Sequence, residues 1–300
     1  MSQKKYVTII IRTKNSADII GQVLAGLFSQ DFKDFVPYAV DSGSTDDTLK
    51  ILEKYGVSYD VIDPASYQPG PVLNRAIEKA ETPIVAFLNS DTVPLRSDAL
   101  RNLLKPHEDE NVAATFARQA ARPDAEPWVI RDYEQAFPAE GLAPDWMHFS
   151  LPFASLKKSV WKKHPFYQAA WASEDTEWGN WARKAGYKVI YVPEALVMHS
   201  HNYTFKQVWG RKYVEGEADA FIFGAKPSYL SMVKRFISSS LRDIPYYIRE
   251  SQLLSIPKAI ARRLVYQIAW EAGCRLGYKR QRDNDLDVSK GQTTVLATYE

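Results

Sequence analysis

The sequence predicts an α/β fold, in which a mainly parallel sheet is flanked by helices and followed by a C-terminal helical extension. Short apolar, β-branched runs alternate with helically spaced segments from Tyr6 to Leu88, and polar clusters follow two of these runs. Beyond Phe205 the helical spacing continues to about Lys279. We therefore expect an α/β domain over residues 1–205 and a basic helical extension over residues 206–300.

The strands and helices of the predicted sheet can be assigned in chain order. The predicted strands are Tyr6–Ile11, Phe35–Val40, Val57–Ile62 and Ile84–Leu88. The predicted helices are Ser16–Phe28, a helix capped by Asp46-Asp47-Thr48, and Pro71–Ala80. A repeated strand–helix–strand order favours parallel pairing, and such sheets bind ligands beyond the carboxyl ends of their strands.

The middle of the chain has weaker periodicity. Ala120–Pro152 is rich in Pro and Trp, and we interpret it as loops around an acceptor pocket. Ser173–Lys184 has clear helical spacing, and Gly186 follows where that helix would stop. Lys188–Val192 is predicted as a strand and Ala195–Met198 as a second short extended piece.

The composition limits the class of protein. The chain has 300 residues, of which 45% are hydrophobic and 25% charged, as in ordinary soluble globular proteins. Its one cysteine, Cys274, cannot form an internal disulfide, which favours a reducing compartment. No apolar run approaches the roughly 18 residues of a membrane span. These features predict a cytoplasmic protein.

Charge is distributed unevenly along the chain. Residues 226–300 carry 13 Lys and Arg against 7 Asp and Glu, a balance of +6, whereas residues 1–225 carry 25 against 29, a balance of −4. The tail also contains two apolar stripes, namely Tyr229, Val233, Phe236 and Ile237, and then Ile260, Leu264, Val265, Ile268 and Leu276. Such stripes either lie on an anionic membrane surface, here the inner face of the cell membrane, or pack on the protein body or a second subunit of a homodimer. No recognised motif predicts nucleic-acid binding.

Two acidic residues stand at predicted strand ends. Asp91 follows an apolar strand, and hard ions such as Mg²⁺ or Mn²⁺ bind carboxylate oxygens together with substrate phosphates, so Asp91 is a candidate metal ligand. Asp41 is placed in the same way and could accept hydrogen bonds from a ribose hydroxyl or a base N–H. Each has a structural alternative, because a loop Asp often hydrogen-bonds its own turn.

Two further pairs of residues carry candidate chemistry. Glu174 and Asp175 open a predicted helix, so they either cap it or supply a general base that removes a proton from an attacking hydroxyl. His199 and His201 fall on the same side of an extended segment, and imidazole binds transition ions, although many histidines are structural. We expect one of them to bind metal and the other to support it or contact substrate.

Five stretches of the sequence carry a resemblance to a known family. They are Ile9–Asn15, Val40–Asp46, Ile84–Pro94, Glu174–Trp178 and His199–Thr204. As a set, across about residues 5–205, they resemble the inverting GT-A glycosyltransferases often called family 2. The last stretch is similar to bacterial members that act in surface polysaccharide assembly, rhamnosyltransferase-like ones included. The resemblance implies a GT-A, Rossmann-like fold.

The resemblance also implies roles for individual residues. It implies a nucleotide pocket formed by Arg12, Thr13, Lys14, Asp41, Ser42, Asn89 and Ser90. It implies that Asp175 is the catalytic base, with Glu174 beside it, and that Asp91 binds metal with His199 or His201. The chain departs from the family at two positions. The metal-binding Asp-x-Asp is Asn89-Ser90-Asp91 here, and an arginine that members often carry is replaced by Leu73.

The function implied is a metal-dependent, inverting, hexosyltransferase-type glycosyltransferase. Its donor would be a sugar on UDP, dTDP or GDP, its acceptor a saccharide or lipid-linked saccharide, and its cofactor Mn²⁺ or Mg²⁺. Two alternatives remain open. A nucleotidyltransferase normally needs a Gly-rich loop after the first strand, and Arg12-Thr13-Lys14-Asn15 lacks glycine. A non-catalytic nucleotide-sugar-binding scaffold is compatible with the missing first carboxylate.

Overall fold

The computed structural model describes residues 5–298, so the ends of both predicted domains, residues 1–4 and 299–300, lie outside the described residues. The chain divides into two compact units. The first contains the chain up to Pro123 together with Tyr133–Tyr167 and Asp175–Ser200, and the second contains Asp124–Asp132, Gln168–Glu174 and the chain from His201 onward.

The first unit is built on an eight-stranded sheet. The strands are β1 Val7–Thr13, β2 Phe35–Asp41, β3 Ser58–Val61, β4 Ile84–Asn89, β5 Val93–Pro94, β6 Val112–Ala120, β7 Phe153–Lys157 and β8 Lys188–Met198. Their spatial order is β3-β2-β1-β4-β7-β6-β8-β5. Pairs among β1 to β4 and the β6–β8 pair are parallel, whereas β7 runs antiparallel to β4 and β6, and β5 antiparallel to β8. The sheet is therefore mainly parallel, as predicted.

Helices cover both faces of this sheet. The helices are α1 Ile20–Phe28, α2 Thr48–Lys54, α3 Pro69–Lys79, α4 Ala99–Leu104, α5 Pro127–Ala136, α6 Lys158–Trp161 and α7 Glu174–Lys184. Successive side chains of a strand point to opposite faces, so Ile9 and Ile11 of β1 pack in one buried cluster and Ile10 in another. The first cluster receives Leu24 of α1, and the second receives Trp178 of α7.

The second unit is mainly helical. Its long elements are α8 Phe205–Phe223, α9 Tyr229–Arg249, α10 Ile256–Asp283 and α11 Ser289–Leu296. Helices α8 and α10 approach so closely that a Cβ atom on Gly216, Gly273 or Gly277 would overlap the backbone of the other helix. Beside this contact, the buried Glu217 forms a 2.6 Å ion pair with the buried Arg280.

The structure differs from the sequence-based expectation at three places in the middle of the chain. The segment from Ala120 to Pro152 was predicted to be loops, but Pro127–Ala136 forms a helix. Strands β6 and β7 were not predicted, although together with β8 they complete the sheet. Lys188–Met198 is one continuous strand rather than two pieces, although its pairing with β6 is interrupted by a register shift between Val192 and Leu196.

Candidate active site

Asp41 ends strand β2 and is fully buried. Its Oδ2 accepts hydrogen bonds from the hydroxyl groups of Thr13, at 2.8 Å, and Ser44, at 2.5 Å, while Oδ1 accepts from the Ser44 amide at 2.7 Å. The adjacent Ser42 amide donates to the Thr13 carbonyl oxygen. The Asp41 carboxylate thus fastens the turn after β2 to the end of β1. Its contact with a nucleoside stays a prediction.

Arg12 lies on β1 directly opposite Asn89 of β4. Its guanidinium donates to the Asn89 side-chain oxygen at 3.3 Å and to the Tyr67 hydroxyl at 3.5 Å. Lys14 is exposed beyond the end of the strand. Two of the predicted nucleotide-pocket residues, Arg12 and Asn89, are therefore joined side chain to side chain at the carboxyl edge of the sheet.

The Asn89-Ser90-Asp91 segment follows β4 at the same edge. The Ser90 hydroxyl lies 2.8 Å from the Ser16 hydroxyl, which ties this segment to the loop after β1. The Asp91 carbonyl oxygen accepts a 2.9 Å hydrogen bond from the Arg122 guanidinium. Its carboxylate is about one quarter exposed, and Oδ1 lies 3.6 Å from Nε2 of His199.

The Nδ1 atom of the His199 ring, on the side away from Asp91, contacts two other side chains. Nδ1 lies 2.8 Å from Oε1 of the buried Gln119 and 3.3 Å from the Tyr133 hydroxyl. The Gln119 amide nitrogen donates to the Ser150 hydroxyl at 2.9 Å, leaving the amide oxygen to accept from Nδ1–H. This arrangement selects the tautomer in which the lone pair of Nε2 faces Asp91.

One ligand atom each from Asp91, His199 and His201 lies within 4.8 Å of the others. A carboxylate oxygen and imidazole nitrogens suit Mn²⁺, whereas Mg²⁺ strongly prefers oxygen ligands. The chemistry of this donor set therefore fits a divalent transition ion. The predicted division of roles between the two histidines stays a prediction.

Asp175 lies in the first turn of α7. Its carboxylate accepts hydrogen bonds from the amides of Thr176, at 2.7 Å, and Leu151, at 3.4 Å. Burial raises the pKa of Asp175, and this effect outweighs the opposing effects of the two amides and of the positive charge on Arg12. A raised pKa makes the ionised carboxylate a stronger base, which suits Asp175 to removing a proton from a hydroxyl. Glu174, the first residue of α7, belongs to the second unit rather than the first.

A chain of contacts links Asp175 to the nucleotide edge. Leu151 donates to Asp175, and the next residue, Pro152, accepts a 3.0 Å hydrogen bond from the Asn89 amide. Asn89 in turn accepts from Arg12, whose charge acts on Asp175. The predicted base and the predicted nucleotide residues of the first unit are thus parts of one connected site.

Sequence reasoning missed three residues of this site, Gln119, Arg122 and Tyr133. Gln119 and Arg122 lie at the end of β6 and just after it, so they were overlooked together with that strand. The Arg122 amide donates to the Ser200 hydroxyl, between the two histidines, at 2.9 Å. Its Nε is buried and has no hydrogen-bond partner among residues 5–298. Leu73 is buried in the core, so α3 offers no cation at that position.

The sequence matches the family model of glycosyl transferase family 2 over residues 8–168. The chain is 30% identical to the O-antigen chain rhamnosyltransferase WbaN of Salmonella anatum, a match that covers 75% of this chain and 78% of the relative. It is 28% identical to the O-antigen chain rhamnosyltransferase RfbN of Salmonella typhimurium, with 86% and 88% covered.

Solved structures show the same fold at lower sequence identity. The mannosyltransferase PcManGT of Pyrobaculum calidifontis, solved with GDP-Man and Mn²⁺, superposes with a TM-score of 0.64 at 16% identity, covering 92% of this chain and 88% of that one. Residues 1–349 of S. aureus TarS, solved with UDP, superpose with a TM-score of 0.54 at 18% identity, covering 93% and 92%. The predicted GT-A architecture is confirmed by these likenesses.

Proposed function

Because the chain belongs to glycosyl transferase family 2, we propose that it transfers a sugar, with inversion, from a nucleotide-diphosphate sugar to a saccharide or lipid-linked saccharide during surface polysaccharide assembly. The contact chain from Asp175 through Leu151, Pro152 and Asn89 to Arg12 is the observation that carries this proposal. It joins a candidate base to candidate donor-binding residues. Family membership and the relatives favour neither the nucleotidyltransferase nor the scaffold alternative.

Asp175 acts in this proposal as the general base. Its raised pKa brings the carboxylate closer to the pKa at which proton removal from a hydroxyl is efficient. The hydroxyl of the acceptor gives its proton to Asp175 and attacks the anomeric carbon on the face opposite the nucleotide. One displacement of this kind inverts the configuration at that carbon.

Asp91, His199 and His201 would hold the divalent cation. When bound, such an ion offsets the negative charge of the departing diphosphate. We favour Mn²⁺ over Mg²⁺, because two of the three donors are imidazoles. Gln119 and Tyr133 hold the His199 ring with Nε2 directed at Asp91.

The nucleotide pocket in this proposal consists of Arg12, Thr13, Lys14, Asp41, Ser42, Asn89 and Ser90. Since Asp41 is fully buried, a nucleoside would reach its carboxylate only if the turn at Ser44 opened. Rhamnose is the first sugar to test, because two relatives are named as rhamnosyltransferases. UDP, dTDP and GDP remain the candidate carriers.

For the domain organisation, we propose that residues 1–205 form the catalytic domain and residues 206–300 an extension that places it at the inner face of the cell membrane. The net charge of +6 over residues 226–300 supports contact with an anionic surface. Association of the extension with a second subunit is the competing arrangement.

Calorimetric titration of UDP, dTDP and GDP, each with and without Mn²⁺, tests the proposed donor site. We expect one nucleotide to bind, its affinity to rise with Mn²⁺, and the metal effect to disappear in Asp91→Ala. The nucleotide that binds then selects the sugar donors for a transfer assay. Absence of binding by all three nucleotides in both conditions would contradict the proposed donor site.

A further inference from the structure

Helix α9 exposes an apolar face. Leu230, Val233, Ile237, Leu241 and Ile248 are all exposed, with Leu230 and Leu241 at 67% and 63% of their full surface. Their spacing of three, four, four and seven residues places them along one side of the helix. We call these five residues the α9 stripe.

The buried side of α9 is polar by comparison. Its fully buried residues are Ser239, Ser240, Asp243 and Tyr247, and Phe236 and Ile244 are half-buried. Asp243 forms ion pairs with Arg131, at 3.0 Å, and Arg263, at 2.6 Å, within the second unit. A helix of a soluble protein normally buries its apolar side and exposes its polar side. Helix α9 instead exposes the five apolar residues of the stripe while it buries Ser239, Ser240 and Asp243, so its exposed side is suited to an apolar environment outside the chain.

The stripe is long and continues past the helix. From Leu230 to Ile248 it spans about 27 Å at 1.5 Å per residue. Two more exposed leucines follow in the turn before α10, Leu253 at 58% and Leu254 at 98%. Among the described residues, no helix has both the length and the apolar character to cross a bilayer.

The exposed charges around the stripe are mainly positive. Lys226, just before α9, and Lys234 and Arg242, on α9, are exposed, whereas Arg249 pairs with Glu250 and Lys258 with Glu126. Of the two acidic residues on or next to this helix, Asp243 is buried among arginines, and Glu250 pairs with Arg249. Cations beside an apolar stripe complement an anionic lipid surface. Two copies meeting through the same face would bring these like charges together, which opposes self-association.

We infer that the α9 stripe is the surface by which this protein lies on an anionic lipid bilayer, with its leucine, valine and isoleucine side chains in the acyl boundary. The inference rests on the proposed membrane contact of the extension and identifies its surface. Vesicle binding needs neither donor nor metal, so failure of this inference is distinguishable from failure of the proposed glycosyl transfer.

Co-sedimentation with vesicles tests the inference, comparing pure phosphatidylcholine with equal parts phosphatidylcholine and phosphatidylglycerol. We expect the full chain to bind the anionic vesicles. The double variant Leu230→Ser/Leu241→Ser should bind at least about tenfold more weakly, because it removes two of the most exposed apolar side chains of the stripe. The control Leu95→Ser/Leu142→Ser changes two exposed leucines elsewhere and should bind as the unchanged protein does.

A charge variant provides the second measurement. Lys234→Glu/Arg242→Glu leaves the stripe intact and should abolish the preference for anionic over neutral vesicles. Equal vesicle binding by the unchanged protein and the Leu230→Ser/Leu241→Ser variant would overturn the inference. A second result would also overturn the inference. If the unchanged protein does not bind vesicles and forms a dimer in analytical ultracentrifugation, and the Leu230→Ser/Leu241→Ser variant is a monomer, the stripe is a subunit contact.

Discussion

Nδ1 of His199 lies 2.8 Å from Oε1 of Gln119, and this contact determines which ring nitrogen faces Asp91. A buried amide oxygen that accepts from one imidazole nitrogen leaves the other nitrogen as the electron-pair donor. The predicted metal ligand therefore depends on a residue 80 positions earlier in the chain.

Gln119→Ala should weaken Mn²⁺ binding about 10- to 100-fold, because residues that orient a ligating histidine commonly contribute this much. Titration followed by electron paramagnetic resonance measures the affinity without reference to catalysis. Gln119→Glu keeps an acceptor oxygen and should recover much of the loss. Gln22→Ala, at an exposed position of α1, is the control. Unchanged Mn²⁺ affinity in Gln119→Ala would disprove the orienting role.

Asp175→Asn should lower the transfer rate by about 10²- to 10⁴-fold and leave nucleotide binding unchanged, because the amide cannot accept the acceptor's proton. Single-turnover transfer and calorimetry separate the two effects. Glu174→Gln, at the neighbouring position, is the comparison and should lower the transfer rate far less. Near-normal transfer by Asp175→Asn would mean that another group is the base.

The same substitution should make the protein more stable at neutral pH. The pKa of Asp175 is raised in the folded state, so the folded state binds this proton more tightly than the unfolded state does. The resulting stability is present below the unfolded pKa and is lost as the pH rises through the folded pKa. Asp175→Asn removes that loss, so its midpoint of thermal unfolding should exceed that of the unchanged protein at pH 7 and approach it in acid. An equal or lower midpoint at pH 7 would contradict the burial argument.

Arg122→Met should weaken binding of the nucleoside diphosphate about 10- to 100-fold and leave binding of the nucleoside itself nearly unchanged. The reason is that the Arg122 guanidinium is fixed beside Asp91 by the Asp91 carbonyl oxygen, where it can meet the diphosphate. Calorimetry with both ligands measures the difference. Arg101→Met, which removes an exposed arginine paired with Asp31, is the control. Equal losses for nucleoside and diphosphate would indicate a structural role instead.

Gly273→Ala should lower the free energy of unfolding by about 1–3 kcal/mol or more, because its Cβ would overlap the backbone of Tyr213 in α8. Denaturant unfolding monitored by circular dichroism measures this change. Gly21→Ala, in α1, is the matched control. Nothing lies within 4 Å of its added Cβ, so it should be neutral or stabilising by about 0.5–1 kcal/mol. A neutral Gly273→Ala would show that the helices can separate at little cost.

The first four strands were predictable because their signals are local. Strands β1, β2 and β4 are apolar runs bounded by turns, the partly exposed β3 follows the regularly spaced α2, and the other helices between them also have regular spacing. Strand β6 was missed, because its apolar residues give way to the polar Arg118 and Gln119 before the strand ends. The middle of the chain also lacks the strand–helix alternation from which the first four strands were predicted.

The site was predictable where residues follow a recognised strand, as Asp41 and Asp91 do. Gln119 was not predictable, because its role arises from the pairing of β6 with β8, in which Gln119 lies opposite Val197. For α9 the sequence revealed apolar periodicity but not which side is buried. Phe236, assigned to its stripe, is half-buried, whereas Leu230 and Leu241 are exposed.

The glycine contact between α8 and α10 limits where the chain can be truncated or exchanged with that of a relative. Gly216, Gly273 and Gly277 bring the backbones together with no room for a side chain, so neither helix retains its packing surface without the other. A truncation inside α10 would expose the buried Glu217 on α8 by removing Arg280. Chimaeras that exchange the C-terminal part with a relative should therefore transfer residues 205–283 as one block, with both helices from the same parent.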